Sequence, residues 1–278
     1  MIDIIYNIIE FILPFNFMQY DFMKNALLTI LIVSPLFAIL GTMIVNNKMS
    51  FFSDALGHSA MTGIAIGVLL GITNYSISMI IFAIVFAILL NLIKAKSKAS
   101  TDTLIGVFSS TAIAIGLAIM SKNGGINKYT NYLIGDILSI SLNEIATLII
   151  IAIVVIVIWI AIFNKLLAVS TNKALARTKG IKSETIENIF AILIAIVVML
   201  SIKWVGILLI NALIVLPAAA SRNISGSMRQ YTINAIIIAL FCGILGLILS
   251  YIWGISTGPA IVILSAIVYG ITFVFRKK

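Results

Sequence analysis

The chain has 278 residues, of which 62% are hydrophobic and only 10% charged, with a mean hydropathy of +1.22. Too few charged groups remain to solvate a globular surface, which excludes a soluble domain and defines an integral membrane protein. The net charge of +9 is explained by basic loops retained on the cytoplasmic side beside anionic lipid, so it calls for no nucleic-acid partner.

Residues 1–21 carry Asp3, Glu10 and Asp21 but no Lys or Arg, and they lack a small-residue cleavage site. They do not read as a signal peptide. Ile4, Ile5, Ile8, Ile9 and Ile12 recur at helical spacing ahead of Pro14, the pattern of an interfacial amphipathic segment. Residues 22–278 read as one membrane domain, because the longest polar stretches, 94–103 and 164–184, are too short to fold alone.

Nine apolar runs long enough for a helical crossing follow, at roughly 22–45, 56–72, 74–93, 104–121, 143–163, 185–202, 204–220, 232–252 and 257–275. The second and seventh are short and rich in Gly, Pro or polar residues, and the break at 202–205 is tight. The expected fold is therefore an all-α polytopic bundle of about eight or nine transmembrane helices, with a re-entrant piece if there are eight. The runs are continuous and lack period-2 alternation, which argues against a β-barrel.

If the first span runs inward, fourteen of the 18 cations fall on cytoplasmic segments, leaving Lys24, Lys122, Lys128 and Lys203 outside. The positive-inside rule then sets an external N-terminus and a cytoplasmic C-terminus in a multi-pass protein of the cell membrane. The single cysteine, Cys242, lies mid-span and allows no intramolecular disulfide.

The one histidine, His58, follows Asp54 by four residues in Ser53-Asp54-Ala55-Leu56-Gly57-His58-Ser59. At about 100° per residue both side chains share a helix face with Met61, Thr62 and Ala65. Ser59, Gly63, Gly67 and Gly71 form a small-residue stripe roughly opposite, suited to close helix packing. Asp54 either caps a helix start, with His58 hydrogen-bonded in the bundle, or the pair ligates a divalent cation; a membrane-buried ionisable pair favours the ligand reading. One Asp and one His are too few donors for a transition metal, so two copies across a two-fold axis are favoured, giving a homodimer with a shared site suited to Zn²⁺, Mn²⁺ or Fe²⁺.

Asp136, in Leu133-Ile134-Gly135-Asp136-Ile137-Leu138-Ser139, reads either as a capping acid at an external helix start or as a gate or outer ligand. In the segment 164–184, Thr171 or Asn172 can cap a short helix through Lys179, with Lys173, Ala174, Leu175 and Arg177 on it and Gly180 as its stop. Pro217, after Asn211 in a short span, kinks or ends its helix.

Taken together, the Asp54-to-Gly63 stretch, the Gly135-Asp136-Ile137-Leu138 stretch and Val205-Gly206-Ile207-Leu208-Leu209 continuing to Leu216-Pro217-Ala218-Ala219-Ala220-Ser221-Arg222 resemble the membrane permeases of ATP-binding cassette (ABC) transporters for zinc, manganese and iron. The match runs in order from about residue 20 to 275. The resemblance implies a homodimeric permease that takes metal from an extracytoplasmic metal-binding protein. Separate cytoplasmic ATPase subunits would drive it, so the chain itself is not an enzyme. It implies that Asp54 and His58 ligate the transported divalent ion, with no permanently bound cofactor, and that residues 173–180 form the helix that docks the ATPase. One departure stands out: Gly57, Met61 and Thr62 occupy positions where that family often has Ser, Leu and Pro.

Two other classes fit less well. A gradient-driven secondary metal-ion transporter is the alternative; it predicts transport without a partner ATPase. An intramembrane aspartyl protease fails because Leu133-Ile134-Gly135 precedes Asp136 in place of Gly-x-Gly, and neither a His-Glu-x-x-His motif nor a phosphate-binding loop occurs.

Overall fold

The structure, a computed structural model, describes residues 6, 10, 19–122 and 135–276. Most of the interfacial helix expected over 1–21 therefore lies outside the described residues. The helices are α1 Asp21–Asn46, α2 Ser50–Leu69, α3 Tyr75–Lys96, α4 Thr101–Lys122, α5 Leu142–Thr171, α6 Lys173–Thr178, α7 Ser183–Val205, α8 Ile207–Ile224, α9 Met228–Trp253 and α10 Thr257–Val274; a 3-10 turn, Ile137–Ser139, precedes α5. Strands are absent among the described residues.

Each of the nine apolar runs falls on one of these helices, α6 being the short extra. Seven of them, α1, α3, α4, α5, α7, α9 and α10, are long and apolar enough to cross a membrane. The two others are α2 and α8, the runs whose Gly, Pro and polar content makes them irregular in sequence. Both sit inside the bundle: α2 packs against α3, α4, α7 and α8, and α8 packs against α1, α2, α9 and α10. A helix wrapped by protein does not need a fully apolar surface, which explains why these two can carry polar groups.

Small residues let α2 sit close to its neighbours. A Cβ on Gly63 would lie 2.9 Å from the Met79 Cα of α3, and one on Gly67 would lie 2.6 Å from the Ser78 hydroxyl. Ser78 donates a hydrogen bond to the Gly63 carbonyl, and Thr62 donates to the Ala112 carbonyl of α4. Thr62 is thus used for packing and does not share the open face expected for it. Gly71 lies past the end of α2, so the small-residue stripe stops at Gly67.

Between α7 and α8 the chain breaks at Gly206, whose φ of +87° no β-carbon residue adopts readily. Gly135, at φ +67°, rests directly on the backbone of Val205 and Gly206 and brings the 3-10 turn onto this break. Pro217 stands inside α8, which continues seven residues beyond it to Ile224. Its ring withholds the N–H that the Leu213 carbonyl would otherwise accept, so the residue marks a weakened turn and not the helix end.

Candidate metal centre

The helix α2 begins at Ser50 with Met49 as its cap residue and no side-chain cap bond. Asp54 therefore stands in the second turn, and the capping role is ruled out by position. Between Phe52 and Ala65 every residue is buried except Asp54 and His58. Their side chains are 40% and 36% exposed in the single chain, below an open Phe51. One line of an otherwise enclosed helix is left uncovered, and its polar members are a carboxylate and an imidazole.

His58 Nε2 lies 3.7 Å from Asp54 Oδ1. Two ligands of one tetrahedral ion, each at about 2.1 Å, sit about 3.4 Å apart, so small rotamer adjustments bring both onto a shared cation. Among the described residues no group of three or more His, Cys, Asp or Glu assembles, and Asp136 is not brought to the pair. A single chain supplies two donors.

The turn is held from behind by α8. Ser53 is fully buried and donates a 2.5 Å hydrogen bond to Asn211 Oδ1, and Gly57 faces the Ile207 carbonyl, where a Cβ would approach to 3.3 Å. The start of α8, immediately after the Gly206 break, thus buttresses the Asp54–His58 turn. The Asn211 contact was not foreseen from the sequence. Its one signal there is a lone amide in an apolar run.

Asp136 is exposed and accepts a 3.0 Å hydrogen bond from the Leu138 backbone N–H, which caps the 3-10 turn. The start of α5 is served instead by Glu144, which accepts from the Ser141 N–H at 2.9 Å and also pairs with Lys203 of α7. Asp136 further lines a cavity of about 490 Å³ with Met23, Trp204, Tyr251 and Thr257. The Trp204 indole N–H in that wall is buried and has no hydrogen-bond partner among the described residues.

At the other end of the bundle, Asn172 accepts from the Ala174 and Leu175 N–H groups at 2.9 and 3.1 Å and starts α6. The helix closes at Thr178, one residue short of the expected Lys179, and Gly180 follows at φ +76°. Only Ala176 is buried; Lys173, Ala174, Leu175 and Arg177 are all exposed. The sequence reading missed the partners of the two cations on α7: Lys173 pairs with Glu187 at 2.6 Å and Arg177 with Glu184 at 3.8 Å. An acidic residue every three positions at the start of α7, across a Gly turn from two bases, was the available signal.

The high-affinity zinc uptake system membrane protein ZnuB of Haemophilus influenzae is 31% identical over 261 residues, covering 94% of this chain and all of that protein. The manganese transport system membrane protein MntC of Listeria monocytogenes is 28% identical, over 94% and 93% of the two chains. Among solved structures, PsaBC from Streptococcus pneumoniae in complex with Fab superposes with a TM-score of 0.79 at 25% identity, covering 98% of this chain and 95% of that one. The model of the ABC 3 transport family matches residues 19–276, and with nearly the whole length accounted for, this chain belongs to that family, as a membrane permease of the ABC transporter type.

Proposed function

We propose that the chain is the permease subunit of an ATP-driven importer that carries a divalent transition metal, zinc, manganese or iron, across the cytoplasmic membrane. Asp54 and His58 of two copies in a homodimer hold the ion in transit. An extracytoplasmic binding protein delivers it to the Asp136 side, and Asp136 acts there as a gate or outer ligand. Cytoplasmic ATPase subunits engage α6 through Lys173, Ala174, Leu175 and Arg177, with Gly180 ending the docking element. Pro217 is the weak turn of a helix that moves. The N-terminus is external and the C-terminus cytoplasmic, with α2 and α8 as the eighth and ninth crossings.

One observation carries this reading. In an interior helix whose other residues from Phe52 to Ala65 are buried, the two uncovered side chains are a metal-ligating pair 3.7 Å apart. The zinc and manganese relatives support the choice of cargo, and imidazole with carboxylate accepts each of the three ions. His58→Ala is expected to abolish uptake of radiolabelled zinc and manganese in metal-limited cells, while crosslinking still yields the dimer. Wild-type uptake by this variant would remove His58 from the path. Uptake that persists without any ATPase subunit would instead favour a gradient-driven carrier.

A further inference from the structure

Beneath α6 lies a second cavity, of about 350 Å³, enclosed by α6 and by the facing ends of α3 and α7. Its charged lining is Lys94, Lys173 and Arg177 against Glu184 and Glu187, a surplus of one cation. Lys173 and Arg177 are engaged by the two glutamates, whereas half-buried Lys94 has no ion pair of its own among the described residues. The back wall is closed by a 2.9 Å hydrogen bond from Asn91 to Asn188.

A second observation points to a ligand. Ser183 lines the cavity, is only 3% exposed, and its hydroxyl has no hydrogen-bond partner among the described residues. A buried hydroxyl without an acceptor is unfavourable and becomes favourable when one arrives. Ser183 is also the first residue of the 23-residue α7, so unpaired backbone N–H groups share its surroundings. An ammonium with no contact ion pair, though within the field of Glu187, a spare hydroxyl and a helix N-terminus together suit an oxyanion with several acceptor oxygens.

We infer that this cavity is a site for a phosphate group, recognised by Lys94 and Ser183. The rim indicates how such a group is presented. Leu92 lines the cavity and is 48% exposed, and Leu89 and Val85, at 46% and 49%, continue the same outward strip along α3. A phospholipid with its headgroup phosphate in the cavity lays its acyl chains on that strip. Basic pockets at the cytoplasmic ends of membrane helices hold anionic headgroups in this manner. The inference rests on the orientation proposed above, which puts α6 on the cytoplasmic side. A filled site ties α3 to the foot of the docking helix, so lipid composition tunes how firmly α6 is seated.

The test uses the full-length permease purified with its ATPase in detergent and offered equal phosphatidylglycerol and phosphatidylcholine, with bound lipid read by native mass spectrometry. Selective retention of phosphatidylglycerol that falls about tenfold in both Lys94→Gln and Ser183→Ala is the expected result. Ser183→Ala removes a hydroxyl that holds nothing in the empty site, so it guards against a folding defect in the lysine variant. A parallel arm replaces lipid with inorganic phosphate and follows the melting temperature. Stabilisation of the wild type but not of Lys94→Gln, without lipid selectivity, keeps the phosphate site and assigns it a soluble source. No selectivity and no stabilisation, or retention unchanged in both variants, overturns the site. None of these readouts involves metal, so a wild type that takes up neither zinc, manganese nor iron while retaining lipid refutes the proposed cargo and leaves this inference standing.

Discussion

The stacking of Gly135 on the α7–α8 break is a part of the structure whose energetic weight can be worked out in advance. Replacing Gly135 with Ala imposes two separate costs. At φ +67° an L-residue is disfavoured by about 1–2 kcal/mol. The new Cβ also lands on the backbone of Val205 and Gly206, with the Gly206 Cα at 2.9 Å, where no flexible side chain can yield. Overpacking of this kind adds about 1–3 kcal/mol. Gly71→Ala is the matched control, because φ there is +69° and no atom lies within 4 Å, leaving the backbone penalty alone. Thermal unfolding of the two purified variants under identical conditions isolates the contact: Gly135→Ala should melt well below Gly71→Ala, and lifting of the turn should break the Asp136 N–H to Lys203 carbonyl bond, now 3.4 Å. Equal melting of the two variants would refute the argument that this turn is clamped to the break.

Three further outcomes are expected. Lys173→Glu combined with Glu187→Lys keeps the local ion pair but reverses the charge offered to the ATPase, so it and Leu175→Asp, at a side chain 57% exposed, should each reduce ATPase capture in pull-down and uptake together; capture and uptake unchanged in both would take α6 out of the docking surface. Asn211→Leu leaves the buried Ser53 hydroxyl only its 3.4 Å bond to the Ser50 carbonyl and should lower stability by about 0.5–1.5 kcal/mol in denaturant titrations, while Ser53→Ala combined with Asn211→Leu should recover part of the loss. Zinc binding to the purified dimer, followed by calorimetric titration, should saturate at one ion per two chains. One ion per chain would rule out the shared site.

The pairing of Asp54 with His58 was readable because it is local: four residues apart on a helix fixes two side chains on one face whatever surrounds them. The same reasoning could not say that α2 is enclosed, since burial depends on α3, α4, α7 and α8 arriving from distant parts of the chain. Its modest hydropathy, which left the crossing count open, is the consequence of that enclosure. Thr62 followed the right periodicity but was drawn to α4 by the Ala112 carbonyl, a tertiary partner that no helical wheel shows. The short helix α6 was legible from Asn172 and Gly180, because capping is governed by neighbours in sequence. Its ion pairs to Glu184 and Glu187 were not, because they cross a turn whose direction the sequence leaves undetermined. Pro217 shows the limit of local rules in the other direction: its ring interrupts one hydrogen bond, and packing carries α8 past it.

Because Asp54 and His58 project from adjacent turns of a single helix, the spacing within one chain is set by the helix and is little altered by any rearrangement of the bundle. On the function proposed above, each protomer is then a rigid bidentate chelator. In a dimer of the kind proposed, the denticity offered to the ion is then either four or two, according to whether the paired α2 helices approach or part. Capture and release become two settings of one distance between protomers, and neither requires the half-site itself to be dismantled.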